Sequence, residues 1–136
     1  HLLGVFLRRV NMNRSQKREQ AIICVYQALL LDADIYEVIN NNIEDDQVKR
    51  DLFFLNITAN LFEHLEYLKT TIEDKLQDWD FDRLGYVEQA ILLVGVAELL
   101  SEEADNAVII NEAVEYTKKY AAYDSYKLIN GVLDKI

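Results

Sequence analysis

The stretch RLGYVEQAILLVGVAELL, residues 83–100, decides the fold of this 136-residue chain. Its apolar side chains recur at the three- and four-residue spacing of an α-helix, and further apolar residues fill its other sides. A helix that is apolar nearly all round belongs in the centre of a domain. The stretch therefore predicts a central helix with these side chains in the core: Leu84, Val87, Ile91, Val94 and Leu99.

The segments on either side of this stretch also read as helices. The chain has no proline and four glycines, which are too few turn-forming residues for a β-sandwich or barrel. Asn13 and Ser15 are good helix caps, and the length fits one domain. We therefore predict a single all-α domain with helices over about residues 13–31, 35–41, 45–76, 83–100, 107–120 and 124–136.

The longest predicted helix and the connector after it carry two further expectations. Residues 45–76 keep one apolar stripe throughout, which favours one long helix, although a break near Thr70 and Thr71 stays open. The connector that follows alternates aspartates with Trp79 and Phe81. We expect both aromatic side chains to dock onto the core, since large aromatic side chains gain most from burial.

The N-terminal residues do not resemble a targeting signal. The apolar residues 2–7 precede the basic residues 8–9, whereas a signal peptide places its charge first. Met12 is the only methionine and stands just before the first good helix. We therefore interpret residues 1–11 as an upstream extension or expression remnant, and we expect the domain to span residues 12–136.

The single cysteine and the short apolar runs bear on location. Cys24 has no second cysteine with which to form a disulfide or a metal cluster, and it is expected to behave as a small hydrophobe. No apolar run approaches the roughly 20 residues that span a bilayer. These features favour a cytoplasmic protein without a membrane segment.

Charge is distributed unevenly along the chain. The net charge is −10, yet residues 1–31 carry five basic residues and one acidic residue, for a local charge of +4. The remaining 105 residues carry 9 basic and 23 acidic residues, for a local charge of −14. This asymmetry predicts one anion-binding edge on an acidic body. A solvated helix face is the alternative, and the charges alone leave both readings open.

Catalytic and metal-binding templates do not fit this sequence. His64 is the only internal histidine, and no cysteine or second histidine lies at metal-ligand spacing. Glu63 and Glu66 share a helical face, but the Glu-x-x-His pairs of di-metal bundles are missing from the sequence. Phosphate-loop, nucleophile-elbow and dinucleotide motifs are missing as well. The sequence therefore predicts no enzyme, no cofactor and no metal site.

Four segments together carry a resemblance to a known family. They are REQAIICVYQAL (residues 18–29), the stretch over residues 79–92, AVIINEAVE (residues 107–115) and DSYKLINGVLDK (residues 124–135). The INEAVE segment and the final segment are the most specific of them. From about Met12 to Ile136 the chain closely resembles the NusB family of bacterial transcription antitermination factors.

This resemblance implies a bundle of about seven helices that binds the boxA sequence of ribosomal RNA transcripts as single-stranded RNA. It also implies a heterodimer with the ribosomal protein NusE and a place in the RNA polymerase antitermination complex, while the chain by itself is a monomer or a homodimer. Position by position, the resemblance implies RNA-binding roles for Arg14, Lys17, Arg18, Tyr26, Glu88, Asp124, Ser125 and Lys127.

Two of these residues, and three others in the same segments, are also open to a purely structural interpretation. Asp124 is expected to cap the last helix, and Tyr26 can equally be a core residue. Asn111 and Asn130 are expected to act as caps or buried hydrogen-bonding groups. Gly131 is expected to permit close helix packing.

Two alternatives to an RNA-binding factor remain. One is a detached domain of an rRNA cytosine methyltransferase, whose N-terminal part has the same helical fold, although we expect such a chain to continue beyond Ile136. The other is a helical scaffold without RNA binding, whose acidic surface attracts a basic partner.

Overall fold

The computed structural model describes residues 11–136 and confirms the predicted all-α class. Over that range the chain forms nine α-helices and one short 3₁₀ turn, where the resemblance implied about seven helices. In chain order they are α1 (Arg14–Leu31), α2 (Ile35–Asn42), α3 (Asp46–Lys49), α4 (Leu52–Asn56), α5 (Ala59–Glu63), α6 (Leu65–Glu73), the 3₁₀ turn (Phe81–Arg83), α7 (Tyr86–Ser101), α8 (Asn106–Tyr120) and α9 (Ser125–Leu133).

Helix α7 is the centre of the fold, as its sequence predicts. It contacts α1, α6, α8 and α9, and every residue from Gln89 to Val96 is buried. Gly95 lets α9 come close, because a Cβ placed there would lie 3.2 Å from a methyl carbon of Leu133. The prediction that Gly131 serves this purpose is wrong, since a Cβ at that position would meet no atom within 4 Å.

Helix α1 begins with the Asn13 cap that its sequence predicts. The Asn13 side chain accepts a hydrogen bond from the Gln16 N–H, and the Gln16 side chain accepts one from the Asn13 N–H in return. The helix ends at Asp32, which takes the left-handed conformation with φ 49°. Cys24 is buried on the inner face of α1, and burial raises the pKa of its thiol to about 11. Its predicted role as a small hydrophobe is confirmed.

The prediction of one long helix over residues 45–76 is wrong, and so is the site proposed for its break. Four short helices replace it, and Thr70 and Thr71 lie inside the last of them. Asp51 lies between α3 and α4 and accepts a hydrogen bond from the Phe54 N–H, which starts a new helix. Short polar side chains compete in this way with a continuing helix. The apolar stripe survives because each short helix still turns its apolar residues inward, among them Phe54, Leu61 and Leu68.

The acidic connector docks onto the core through one aromatic residue. Phe81 is buried, and its N–H donates to a carboxylate oxygen of Glu73 at 2.8 Å. Trp79 is 54% exposed, so the prediction that it also docks is wrong. The aspartates on either side of Trp79 keep that part of the chain in solvent, because burial of an unpaired carboxylate is costly.

The proposed N-terminal extension covers residues 1–11, of which residues 1–10 lie outside the described residues. Within residues 11–136 there is no helix of the length and apolar character needed to cross a membrane.

Candidate nucleic-acid interface

The three basic residues near the start of α1 separate into two groups. Arg14 is exposed and Lys17 is partly exposed, whereas Arg18 is only 4% exposed. The Arg18 Nε donates to Oε1 of Glu98 on α7 at 2.5 Å, and another of its nitrogens donates to Glu112 on α8. Arg18 therefore joins three helices through charge-assisted hydrogen bonds.

A tyrosine completes this ion-pair network. The Tyr116 hydroxyl donates to the backbone oxygen of Ser15 at 2.9 Å and lies 3.1 Å from a Glu112 carboxylate oxygen. Burial raises the pKa of Tyr116, so the hydroxyl keeps its proton at neutral pH. The first turn of α1 is thereby fixed against α8.

Arg14 and Lys17 lie over the short helix α4 rather than inside the bundle. The Arg14 guanidinium stands 4.6 Å from the centre of the Phe53 ring, a cation–π distance. The Lys17 ammonium lies 3.0 Å from a carboxylate oxygen of Asp51. Burial acts to raise the pKa of Asp51, but hydrogen bonds from the Phe54 N–H and from Lys17 outweigh it and lower that pKa.

The C-terminal end of α8 meets the outer side of α1. Glu19 lies 2.5 Å from the Lys119 ammonium and also accepts a hydrogen bond from the Tyr120 hydroxyl. These two hydrogen bonds lower the pKa of Glu19 and leave it ionised at neutral pH. Residues 121–124 then lead directly from α8 into α9.

The second predicted group of RNA-binding residues lies at the start of α9. The Ser125 hydroxyl is 3.3 Å from Oε1 of Glu88 in the first turn of α7, so these two residues are brought together. Lys127 is exposed in the first turn of α9. Asp124 is exposed and stands at the N-cap position, but its side chain makes no capping hydrogen bond with any described residue, so its predicted capping role is wrong.

The contact that links α1 to the segment before α9 is made by Glu19, which is not one of the predicted RNA-binding residues. Glu19 on α1 contacts Tyr120, and Asp124 follows Tyr120 by four residues. Tyr26 lies farther along α1, where it is partly buried against the core.

Two asparagines that were expected to have structural roles, Asn111 and Asn130, do not have those roles in the fold. Asn111 is exposed within α8 and Asn130 is exposed within α9, so the prediction that they are caps or buried hydrogen-bonding groups is wrong. The Asn130 side chain donates a long hydrogen bond, 3.4 Å, to a carboxylate oxygen of Asp134 one turn later.

Sequence reasoning missed a set of residues beside the predicted ones. Two exposed lysines and two exposed tyrosines lie around the end of α8: Lys118, Lys119, Tyr120 and Tyr123. The signal was present in the string KKYAAYDSYK, residues 118–127, where basic and aromatic residues recur within ten positions. Basic and aromatic side chains in one groove are typical of single-stranded nucleic-acid binding.

The connector after α6 is negatively charged, unlike the lysine-containing stretch over residues 118–127. Asp78, Asp80 and Asp82 are exposed around the exposed Trp79. This acidic connector is suited to a basic partner rather than to a polyanion.

Within residues 11–136 no cluster of histidine, cysteine and carboxylate side chains could hold a metal ion.

Comparison with known proteins gives a consistent result. Residues 10–136 match the model of the NusB family. A protein named transcription antitermination protein NusB from Nitratiruptor sp. is 38% identical over 125 residues, which cover 90% of this chain and 90% of that protein. The protein of the same name from Sulfurovum sp. is 40% identical over 126 residues, covering 90% of this chain and 96% of the relative.

Solved structures show the same fold. NusB from T. maritima superposes with a TM-score of 0.81 at 26% identity, covering 93% of this chain and 91% of that one. A structure of the antitermination factors NusB and NusE in complex with dsRNA matches with a TM-score of 0.73 at 30% identity, covering 91% of this chain and 96% of the matched chain.

Proposed function

This chain belongs to the NusB family, and from that premise we propose that it is a non-enzymatic transcription antitermination factor. In this proposal it binds boxA-type single-stranded RNA together with the ribosomal protein NusE and enters the RNA polymerase antitermination complex. The solved complex of NusB and NusE with dsRNA supports RNA and NusE as partners. Residues 12–136 are the domain that carries this function, and transcription places it in the cytoplasm.

The observation that carries the RNA part is the position of Arg14 and Lys17. Arg14 is exposed and Lys17 is partly exposed in the first turns of α1, where they lie against Phe53 and Asp51 respectively and outside the buried ion-pair network of Arg18. Cations on the outside of a folded chain can neutralise phosphates. In an otherwise acidic molecule, this region is the one that suits a polyanion.

The remaining predicted residues have supporting roles in this proposal. Arg18 holds α1 against α7 and α8, and so positions the two outer cations. Ser125 and Glu88 fix the start of α9, beside which Asp124 accepts hydrogen bonds from base amino groups. Tyr26 contributes its exposed edge to RNA.

The acidic surface is assigned to NusE. The chain carries 24 acidic and 14 basic residues, and the exposed aspartates around Trp79 form a compact negative patch. Opposite charge speeds the encounter with a basic protein, and an exposed tryptophan is a typical anchor of a protein interface.

A scaffold without RNA binding is the second candidate, favoured by the net charge of −10. A methyltransferase domain is not supported, because the relatives matched over nine-tenths or more of their length are named as antitermination proteins.

The test is RNA affinity with and without NusE, for the parent and for the variant Arg14→Ala with Lys17→Ala. The resemblance points to a triple change that includes Arg18, but Arg18 is buried and its removal would disturb the fold. We expect the double variant to bind a boxA-like oligomer more weakly. The slope of log affinity against log salt should fall by about 1.4, since each lost phosphate contact on a single strand removes about 0.7.

The charge-matched control is Lys69→Ala with Lys75→Ala, which also removes two positive charges but from α6 and its C-terminal end. We expect it to leave the salt slope unchanged. An equal loss in both double variants would mean that only net charge matters and would contradict a specific surface. No RNA binding by the parent, even with NusE present, would support the scaffold.

A further inference from the structure

Tyr123 is the most exposed large apolar or aromatic side chain of the described residues. Its exposed fraction is 84%, against 58% for Tyr36 and 63% for Tyr67. It lies in the four-residue link between α8 and α9, next to Asp124. An aromatic ring held this far into solvent gains nothing from the hydrophobic core, so folding does not explain it.

The ring is nevertheless held in a defined arrangement. Tyr123 and Tyr126 pack edge to face, with ring centres 6.3 Å apart and planes at 80°. The ammonium of Lys118 lies 4.9 Å from the centre of the Tyr126 ring. The cation and the two rings thus form a short ladder that runs from α8 to α9. Tyr126 supports Tyr123 while most of the Tyr123 ring stays open to solvent.

The stretch of sequence that carries most of this ladder has a positive local charge, in contrast to the chain as a whole. Residues 117–128 carry three lysines and one aspartate, for a local charge of +2, while the whole chain has −10. Lys118 is paired with Glu115 at 3.8 Å, yet 45% of its side chain remains exposed. Lys127 is exposed on the other side of Tyr126 in sequence. The exposed lysines of this stretch can attract a polyanion.

We propose that Tyr123 is a stacking platform for one unpaired base of an RNA strand, with Lys118 and Lys127 neutralising the phosphates on either side of that base. This inference rests on the proposed RNA-binding function and adds a base contact by a residue that is not among those implied by the resemblance. Aromatic rings stack on every base, whereas phosphate contacts carry no base information.

RNA fits this surface better than a protein partner does. A protein interface surrounds its aromatic anchor with apolar neighbours that exclude water. The neighbours of Tyr123 in the link are Ala121, Ala122 and Asp124, and lysines stand on both sides. Lysine is depleted in the centre of protein interfaces, but it is the common companion of stacking aromatics in RNA-binding grooves.

The experiment measures affinity for a single-stranded boxA-like oligomer, in the presence of NusE, for Tyr123→Ala and Tyr123→Phe. Loss of one base stack predicts about a 5- to 150-fold weaker affinity for the alanine variant. The phenylalanine variant keeps the ring and should bind as the parent does. The control is Tyr36→Ala, which removes another exposed tyrosine, one set between Asp34 and Glu37, and should leave the affinity unchanged.

A second arm locates the base. One abasic nucleotide is moved through the oligomer. At one position the missing base should weaken the affinity of the parent, whereas the affinity of Tyr123→Ala, which is already reduced, should not fall further. Such non-additivity shows that the ring and that base interact directly. The thermal midpoints of the variants should match the parent, because the side chain is exposed.

The failures of the two proposals can be told apart. Unchanged affinity of Tyr123→Ala, in a parent that binds RNA and loses affinity with Arg14 and Lys17 removed, overturns the stacking platform alone. Loss of NusE affinity without loss of RNA affinity also overturns it and assigns Tyr123 to the protein interface. A parent that binds no RNA with NusE overturns this inference together with the proposed function.

Discussion

Arg14 and Lys17 differ from Arg18 in what their charges contact, although all three lie within the first five residues of α1. The outer two are at the surface, beside the Phe53 ring and Asp51 respectively. Arg18 is buried and bound to two glutamates that lie 80 and 94 residues away in sequence. The same sequence signal, a basic run at a helix start, therefore serves two purposes: it presents charge outward, and it locks the helix that presents it.

The ion pairs of these residues also explain how α1 tolerates positive charge in its first turn. Cations at a helix N-terminus are opposed by the helix dipole. The carboxylates of Glu98 and Glu112 bind the buried Arg18, and the Asp51 carboxylate lies against the partly exposed Lys17. The acidic body of the molecule thus stabilises its basic edge.

The largest expected effect comes from removal of the buried cation. Arg18→Ala leaves the Glu98 carboxylate buried without its partner, and side-chain burial of Glu98 is nearly complete, at 1% exposed. Breaking a buried ion pair by removal of one partner costs about 3–5 kcal/mol. Urea unfolding should show this loss in the free energy of unfolding, whereas Arg14→Ala should cost less than about 1 kcal/mol.

A double variant sharpens the comparison. Arg18→Met with Glu98→Gln removes the buried charge on both sides and should recover part of the lost stability. The salt slope of RNA binding should be unchanged by Arg18→Met with Glu98→Gln but reduced by Arg14→Ala. A reduced slope in the Arg18 variant would show that Arg18 itself contacts phosphate, and the division between inner and outer cations would fail.

The fold was largely predictable because its signals are local. The Asn13 cap, the central apolar helix and the all-α class follow from neighbours in sequence. The long helix over residues 45–76 was predicted wrongly because its apolar stripe outweighed the polar interruptions. The sequence signal for an interruption of this helix is Asp51, which caps α4. Trp79 stays in solvent because the aspartates that flank it oppose burial, although its aromatic ring alone favours docking.

The site was less predictable because its contacts are not local. No pattern around Arg18 reveals Glu98 and Glu112, so burial of the guanidinium could be known only from the packing of three helices. The nearness of Ser125 to Glu88, 37 residues apart, is of the same kind. Tyr123 and the two lysines 118–119 were missed for another reason: their spacing was visible, but the family pattern directed attention to the residues after them.

A smaller effect is expected from Tyr116, which belongs to the inner network but carries no charge. Tyr116→Phe removes the hydroxyl that bridges Ser15 and Glu112 while it keeps the ring. Loss of these hydrogen bonds should cost about 1–2 kcal/mol, measured by urea unfolding. No change in stability would mean that the first turn of α1 is held by Arg18 alone. The matched control is Tyr120→Phe, which removes an exposed hydroxyl from the outer side.

The smallest effect concerns the pH dependence of stability that comes from two partly exposed carboxylates, Glu19 and Asp51. Hydrogen bonds from Lys119 and Tyr120 lower the pKa of Glu19, and hydrogen bonds from the Phe54 N–H and Lys17 outweigh burial and lower that of Asp51. A group with a lowered pKa stabilises the fold above its unfolded pKa and loses that contribution as the pH falls through its folded pKa. With ordinary values of 4.5 and 3.8, the loss falls below about pH 4.5. Both carboxylates lie at the surface and are partly exposed, so each contributes less than about 1 kcal/mol.

Glu19→Gln and Asp51→Asn should therefore flatten the fall of unfolding free energy between neutral pH and about pH 3, measured by urea unfolding at each pH. Asparagine is chosen at position 51 because it still caps α4. Asp46→Asn, which removes an equally negative but 74% exposed side chain, should leave the profile unchanged. A profile that flattens equally in all three variants would show that net charge alone sets the acid response. The outer pairs would then be solvated contacts, and the inner network alone would hold α1 in place.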